Sequence, residues 1–191
     1  MVIFFCQLTE KNYQTVLVLI SFAIMEEIFP GFNSAIPLEV GNSFDDFEVN
    51  QSFEHHLGRT LNIGDNTLFS SLTLCLNPLY FNDEYARENG HKQTPINPLL
   101  VFNTVFGMSV EDLSEKGGPF LGIDDLIFHE NVYSGDTLRA KSTVLNKRIS
   151  KSNEEVGIVT WHTEGFNQRG SLVVEYKRSN IVAKSGFQAK F

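Results

Sequence analysis

The order of apolar and polar segments along this chain predicts an α+β fold, in which one antiparallel sheet wraps around a long central helix. Two observations predict it. The segment Asn97–Leu113 is apolar almost all round, which is typical of a buried helix. After it come four segments that alternate between apolar and polar residues and are joined by short polar turns, as in antiparallel strands: 120–132, 137–149, 156–168 and 171–184.

The elements before the long helix are shorter. Residues 47–63 are expected to be extended, and a helix is expected to start at 64–66 with Asp65 or Asn66 as its cap. Its apolar face would carry Leu68, Phe69 and Leu72. The long helix itself has a suitable N-cap in Asn97, followed by Pro98 at the first helical position, where a missing N–H costs little.

The composition indicates one soluble globular domain. The chain has 191 residues, of which 42% are hydrophobic and 20% charged. With 17 Phe and a single Trp, the core is expected to be rich in aromatic rings. The formal net charge is -8 and no basic stripe is present, which argues against a nucleic-acid partner.

The domain is expected to occupy residues 46–187, after an irregular lead-in over 25–45 that contains two Pro and two Gly. Residues 1–24 fit poorly with the rest. Their apolar run is too short to span a bilayer, and Glu10 and Glu26 argue against a signal peptide. We interpret them as a gene-model extension or disordered N-terminus, with translation starting at Met25; the alternative is a weak membrane anchor without stable insertion.

Neither the cysteines nor the histidines indicate a metal site. Cys6 and Cys75 are far apart and no CxxC spacing occurs, so a reducing cytoplasm is the expected compartment. His55 and His56 are adjacent in an extended segment, so they point to opposite faces and one should be exposed. We therefore expect no metal and no cofactor.

The most informative segment is 75–86, with the sequence CLNPLYFNDEYA. Pro78 ends any preceding helix and favours an extended Asn77. Asn82 is a suitable N-cap for a short acidic helix that Gly90 ends. The pattern predicts a tight polar loop between two helices, either as an ordinary corner or as a loop that presents small polar groups to an apolar pocket.

This segment resembles the hydratase loop of MaoC-like dehydratases, the (R)-specific enoyl-CoA hydratase branch of the hotdog superfamily. Their pattern is Asp-x-Asn-Pro-x-His, and Asn77 and Pro78 match it, while Cys75 stands at the Asp position and Tyr80 at the His position. The strings FLGIDDLIFHENVYSGDTL and GIVTWHTEGFNQRG resemble the mesaconyl-CoA hydratase branch of the same family. The resemblance covers the chain from about Gly41 onward and implies a hotdog fold.

The resemblance also implies an activity and a site. MaoC-like proteins hydrate enoyl-CoA thioesters or dehydrate 3-hydroxyacyl-CoA thioesters, as dimers with the substrate tunnel at the interface, and coenzyme A is present only as part of the substrate. By this resemblance the catalytic candidates are Tyr80, Cys75 and Asn77, with the Gly122 N–H holding the thioester oxygen. Candidate substrate-binding residues, in addition, are Asn97, Asn103 and Asp124.

The departures at Cys75 and Tyr80 decide how the chemistry would run. A tyrosine can donate a proton but is a poor base at neutral pH, and an amide such as that of Asn77 can orient water but cannot take its proton. Asp65, Asp124, Asp125, His129 and His162 are polar groups that could substitute. Lys92, Arg139, Arg148 and Arg169 are candidate partners for the phosphates of coenzyme A, with nothing in the sequence to rank them.

Two other functions stay open at this point. The same departure at Tyr80 is compatible with a non-catalytic acyl-CoA binder or a scaffold subunit paired with a second hotdog chain that supplies the Asp and His. A hotdog thioesterase is the least favoured, because it needs an acidic residue on the central helix and 97–106 contains none.

Overall fold

The computed structural model of the chain describes residues 24, 27–28, 40–116 and 118–187. The chain divides into two compact units, Met1–Glu39 and Val40–Phe191. The expectations for residues 1–24 and for a start at Met25 lie outside the described residues, which include only Ile24 of that segment. The described part of the lead-in, from Val40, ends in a single 3-10 turn at Phe44–Asp46.

The second unit contains one five-stranded antiparallel sheet. Its strands are β1 (Ser52–Thr60), β2 (Phe120–Phe128), β3 (Thr137–Ile149), β4 (Val156–Phe166) and β5 (Leu172–Ala183). They lie in the order β1-β3-β4-β5-β2, so β1 and β2 are the two edges. The predicted order of one strand, then helices, then four strands is confirmed.

Four helices lie between β1 and β2: α1 (Ile63–Leu72), α2 (Asp83–Glu88), α3 (Pro98–Met108) and α4 (Val110–Ser114). The expected cap of α1 was wrong. Asn62 caps it, and Asp65 at the third helical position accepts the Asn62 N–H in return. The expected long helix also ends early, at Ser109, whose hydroxyl donates to the Phe106 carbonyl at 2.7 Å.

The α3 helix packs on the sheet through one face. Val101, Val105 and Met108 are buried against a cluster that includes Leu138 and Tyr176. Gly165 on β4 makes this approach possible, since a Cβ there would lie 2.6 Å from a methyl group of Val105. The second cluster is built on Trp161 and Phe47, whose rings pack edge to face, so the core is rich in aromatic rings as predicted.

Several apolar side chains that the sequence predicts to be buried are exposed in the described chain. Leu99 on α3 is 46% exposed, so this helix is not buried all round. On α1, Leu68 and Leu72 are 61% and 75% exposed, and the loop after it adds Leu74 and Leu76. Leucines exposed to this degree and close together along the chain are typical of a surface that contacts another chain or domain.

A buried polar chain fastens α4 to the sheet. His55 on β1 bridges the Asp112 carboxylate, at 2.5 Å from Nδ1, and the Ser142 hydroxyl, at 2.8 Å from Nε2. Ser142 bonds in turn to the Thr163 hydroxyl at 2.8 Å. Ser142 is fully buried, so this Asp–His–Ser series has no access to a substrate and is structural. His56 is exposed, which confirms that the two histidines face opposite ways.

None of the described helices combines the length and the apolar character that crossing a bilayer requires. In the same part of the chain, no group of three or more His, Cys, Asp or Glu side chains is arranged to hold a metal ion.

Candidate active site

The loop between α1 and α2 has the predicted local structure. Asn77 is extended and caps a single 3-10 turn, Pro78–Tyr80, by accepting the Leu79 N–H at 3.0 Å. Asn82 caps α2 and accepts the N–H groups of Glu84 and Tyr85. Two asparagine caps within six residues therefore fix the backbone of the loop on both sides of Tyr80.

One buried side chain, Asn66, holds this loop against the start of α3. Its amide donates to the carbonyls of Tyr80, at 2.7 Å, and Pro95, at 3.0 Å, while its oxygen accepts the Asn97 N–H at 2.7 Å. From the sequence, Asn66 was predicted only as a possible cap of α1. An asparagine inside a helix, where it is intrinsically unfavourable, is the signal that could have marked it.

Replacing Asn66 by alanine should lower the free energy of unfolding by about 2–4 kcal/mol, because three buried backbone groups lose their partner. Urea unfolding measures this. Asn103→Ala is the matched control, since Asn103 is exposed and bonds only to the Leu99 carbonyl of its own helix; its stability should change by less than about 0.5 kcal/mol. Equal losses for both variants would contradict the role given to Asn66.

Tyr80 is the candidate residue that faces a cavity. The cavity has a volume of about 160 Å³ and lies between the loop, the start of α3 and the end of β2. Burial raises the pKa of the Tyr80 phenol above its ordinary value of 10.0, and the nearby Cys75 raises it further. The phenol is therefore protonated at neutral pH and can donate a proton. The lining residues include Leu79, Tyr80, Pro98, Val101, Phe128 and Val132.

The structure thus brings Cys75 and Tyr80, the two departures from the family pattern, within electrostatic reach of each other. Cys75 is a free thiol and partly buried. Asn77 belongs to the same loop, but its side chain is exposed and its oxygen is engaged in the cap. Its predicted role in orienting water stays a prediction.

The two asparagines of the long helix have different environments. Asn97 is almost fully buried, and its side chain caps α3 through the Leu99 N–H and reaches the Ser70 hydroxyl. Asn103 lines a second cavity, of about 500 Å³, beside Leu57 and Leu100. Asn97 therefore has a structural role that the sequence indicated, and the substrate-binding role predicted for both residues stays a prediction.

Gly122 and Asp124 lie on the edge strand β2, opposite Ser179 and Lys177 of β5. Neither residue lines the Tyr80 cavity. Asp124 is exposed and contributes to a raised pKa of Lys177, whose main partner is Asp125. Within this chain, the Gly122 N–H, which was predicted to hold the thioester oxygen, does not lie at the same cavity as the Tyr80 hydroxyl, the predicted proton donor.

The histidines that the sequence offered as substitutes have another partner. His129 and His162 both bond to the Glu175 carboxylate, at 2.9 and 2.8 Å, and these two bonds lower the pKa of Glu175. Asp65 pairs with Arg59 at 2.8 Å. The two histidines thus form hydrogen bonds on the sheet, and Asp65 forms an ion pair at the start of α1.

The antiparallel sheet around α3, with the Asn77-Pro78 loop held against the start of that helix, defines a MaoC-like hotdog protein. The family model for mesaconyl-CoA hydratase matches residues 30–189, and the chain belongs to this family. It is 37% identical over 147 residues to a mesaconyl-CoA hydratase from Haloarcula hispanica, an alignment that covers 76% of this chain and 41% of that protein.

Solved structures share the fold, and one of them also has substantial sequence identity. A protein from Chloroflexus aurantiacus, named as a MaoC domain dehydratase, superposes with a TM-score of 0.75 and 35% identity, over 82% of this chain and 44% of that one. A Mycobacterium tuberculosis protein with a double hotdog fold superposes with a TM-score of 0.69 and 22% identity, over 79% and 47% of the two chains. The chain thus spans less than half the length of these relatives.

Proposed function

We propose that this chain is an acyl-CoA hydratase or dehydratase, acting on a short or branched enoyl-CoA or 3-hydroxyacyl-CoA thioester. The observation that carries the proposal is the position of Tyr80: a protonated phenol, beside Cys75, in a cavity at the start of the central helix. The named relatives are hydratases and dehydratases, which favours an enzyme over the alternative of a non-catalytic binder or scaffold.

The chemistry adds water across a C=C bond conjugated to a thioester. The oxygen of a water molecule bonds to the β-carbon, the Tyr80 hydroxyl gives its proton to the α-carbon, and the Tyr80 oxygen takes up the proton that the water releases. Tyr80 ends the addition in its starting state, so no further group has to be consumed; dehydration is the reverse.

A second hotdog unit completes the site in this proposal. Gly122 does not reach the Tyr80 cavity within one chain, whereas an equivalent strand from a second unit could present a backbone N–H there. The leucines exposed on α1 and in the loop give such a unit an apolar surface to cover, and the relatives are more than twice the aligned length. A second copy of this chain, forming a homodimer, is the partner we favour.

The proposed activity is tested by adding purified chain to crotonyl-CoA and to mesaconyl-CoA and following the loss of the conjugated thioester absorbance. Turnover of either thioester supports the proposal, and turnover of neither refutes it. The double variant Cys75→Asp, Tyr80→His restores the family's acid/base pair, and its rate should exceed that of the wild type severalfold. The isolated native protein should be a homodimer; a heteromer whose partner has an intact Asp/His loop would favour the scaffold alternative.

A further inference from the structure

The wall of the Tyr80 cavity has a polar segment that the proposed hydration does not use. Three consecutive residues directly after β2 line the cavity there: His129, Glu130 and Asn131. Apart from these three and Tyr80, the lining residues are apolar. An acyl group that enters the cavity therefore meets its charged side chains in this one segment.

Two anchors hold this segment in place. At one end, the His129 ring bonds to the Glu175 carboxylate at 2.9 Å. At the other end, the Ile96 N–H donates to the carbonyl of Val132 at 2.8 Å, and both of these side chains are buried. Glu130 lies between the two anchors, so its backbone is fixed at the cavity wall.

Glu130 gives the cavity a negative charge. Its side chain is exposed and has no ion pair or hydrogen bond among the described residues. The described residues that line the cavity include no lysine or arginine. The His129 ring is held by Glu175, whose carboxylate offsets a charge on that ring. Lys92 lies over the Tyr133 ring at 4.4 Å and does not belong to the wall.

This charge distinguishes between two kinds of acyl group. A crotonyl group is neutral, whereas a mesaconyl group, for which the relatives are named, carries a free carboxylate in addition to its thioester. The cavity has a volume of about 160 Å³, so a second carboxylate inside it would lose water and lie near Glu130 without a cation to balance it. A neutral acyl group meets neither obstacle.

We infer that this chain selects uncharged acyl groups, and that Glu130 is the residue that rejects acyl groups with a free carboxylate. The inference rests on the proposed acyl-CoA chemistry and adds to it the charge class of the substrate. It separates this chain from the relatives named for mesaconyl-CoA, whose acyl group carries the charge that Glu130 opposes.

Direct titration of the full chain with two saturated four-carbon thioesters tests this inference without requiring turnover. The wild type should bind butyryl-CoA about tenfold more tightly than succinyl-CoA, which carries a terminal carboxylate. Glu130→Gln keeps the shape of the side chain and removes its charge. It should bind succinyl-CoA about tenfold more tightly than the wild type does, with butyryl-CoA unchanged. Glu154→Gln is the matched control, an exposed glutamate in the turn between β3 and β4, and should bind both thioesters as the wild type does.

Kinetics give a second measurement. In the wild type, kcat/KM for crotonyl-CoA should exceed that for mesaconyl-CoA, and Glu130→Gln should reduce the ratio about tenfold. A wild type that binds succinyl-CoA as tightly as butyryl-CoA overturns the inference, as does a Glu130→Gln variant that gains no affinity for succinyl-CoA. A wild type with the expected binding preference that hydrates neither thioester leaves the charge selection standing and refutes the hydratase. A wild type that hydrates mesaconyl-CoA as fast as crotonyl-CoA supports the hydratase and overturns the charge selection.

Discussion

Replacing Tyr80 by phenylalanine should lower kcat for enoyl-CoA hydration about a thousandfold, with KM close to that of the wild type. The ring stays in the cavity wall and only the hydroxyl is removed, so substrate contacts survive while the proton donor is lost. General acid catalysis by one side chain contributes about 10²–10⁴-fold. Steady-state kinetics with crotonyl-CoA, at saturating substrate, measures the effect.

The fold should not be affected by this change, because the Tyr80 hydroxyl makes no hydrogen bond among the described residues. Tyr85→Phe is the matched control: Tyr85 lies on α2, is 40% exposed and does not line the cavity. It should keep the wild-type rate. If Tyr80→Phe retained kcat within threefold, the phenol could not be the proton donor, and the loop would have only a structural role.

Replacing Gly165 by alanine should destabilise the protein by about 2–4 kcal/mol. The added methyl would lie 2.6 Å from Cγ2 of Val105 and 2.8 Å from Cγ1 of Val174. Both neighbours are short branched side chains in the core, and they cannot rotate away as the tip of a long side chain can. The variant must therefore lift α3 from the sheet or shift a strand, and the urea unfolding midpoint should fall.

Gly107→Ala is the control for this prediction. Gly107 lies in α3 itself, and a Cβ there meets no atom within 4 Å. Alanine in an exposed helical position should stabilise the chain by about 0.5–1 kcal/mol. If Gly165→Ala lowers the free energy of unfolding and Gly107→Ala raises it, the loss at Gly165 comes from the close packing between α3 and β4. A Gly165→Ala variant as stable as the wild type would mean that the helix does not pack as closely as the structure places it.

Local features of the site were predictable from the sequence. The caps at Asn77, Asn82 and Asn97 were predictable because asparagine is a preferred N-cap residue, and because Asn77 and Asn97 directly precede a proline. The preference of a residue type for the N-cap depends only on the backbone within a few residues. The N-cap of α1 was predicted at the wrong residue, because Asn62, Asp65 and Asn66 are all residue types that can cap a helix. The reciprocal hydrogen bonds between Asn62 and Asp65 show that Asn62 is the cap.

The break at Ser109 could not be predicted from propensity. Its hydroxyl bonds to the helix behind it and also accepts from the buried Arg178, 69 residues later in the chain. Burial lowers the pKa of Arg178 to about 10, which shows how completely the core surrounds this guanidinium. The role of Asn66 was missed for the same reason, because two of its partners belong to segments 14 and 29 residues away.

By itself the sequence determined the class of fold and the chemistry available in the loop, since alternation, caps and proline positions act over a few residues and leave a direct pattern. Only the tertiary structure decided which groups meet. It placed Tyr80 at a cavity with Val101 and Phe128, and it left Gly122 outside that cavity. These residues belong to segments that are distant along the chain, and the packing of α3 on the sheet and the register of β2 set which of them meet.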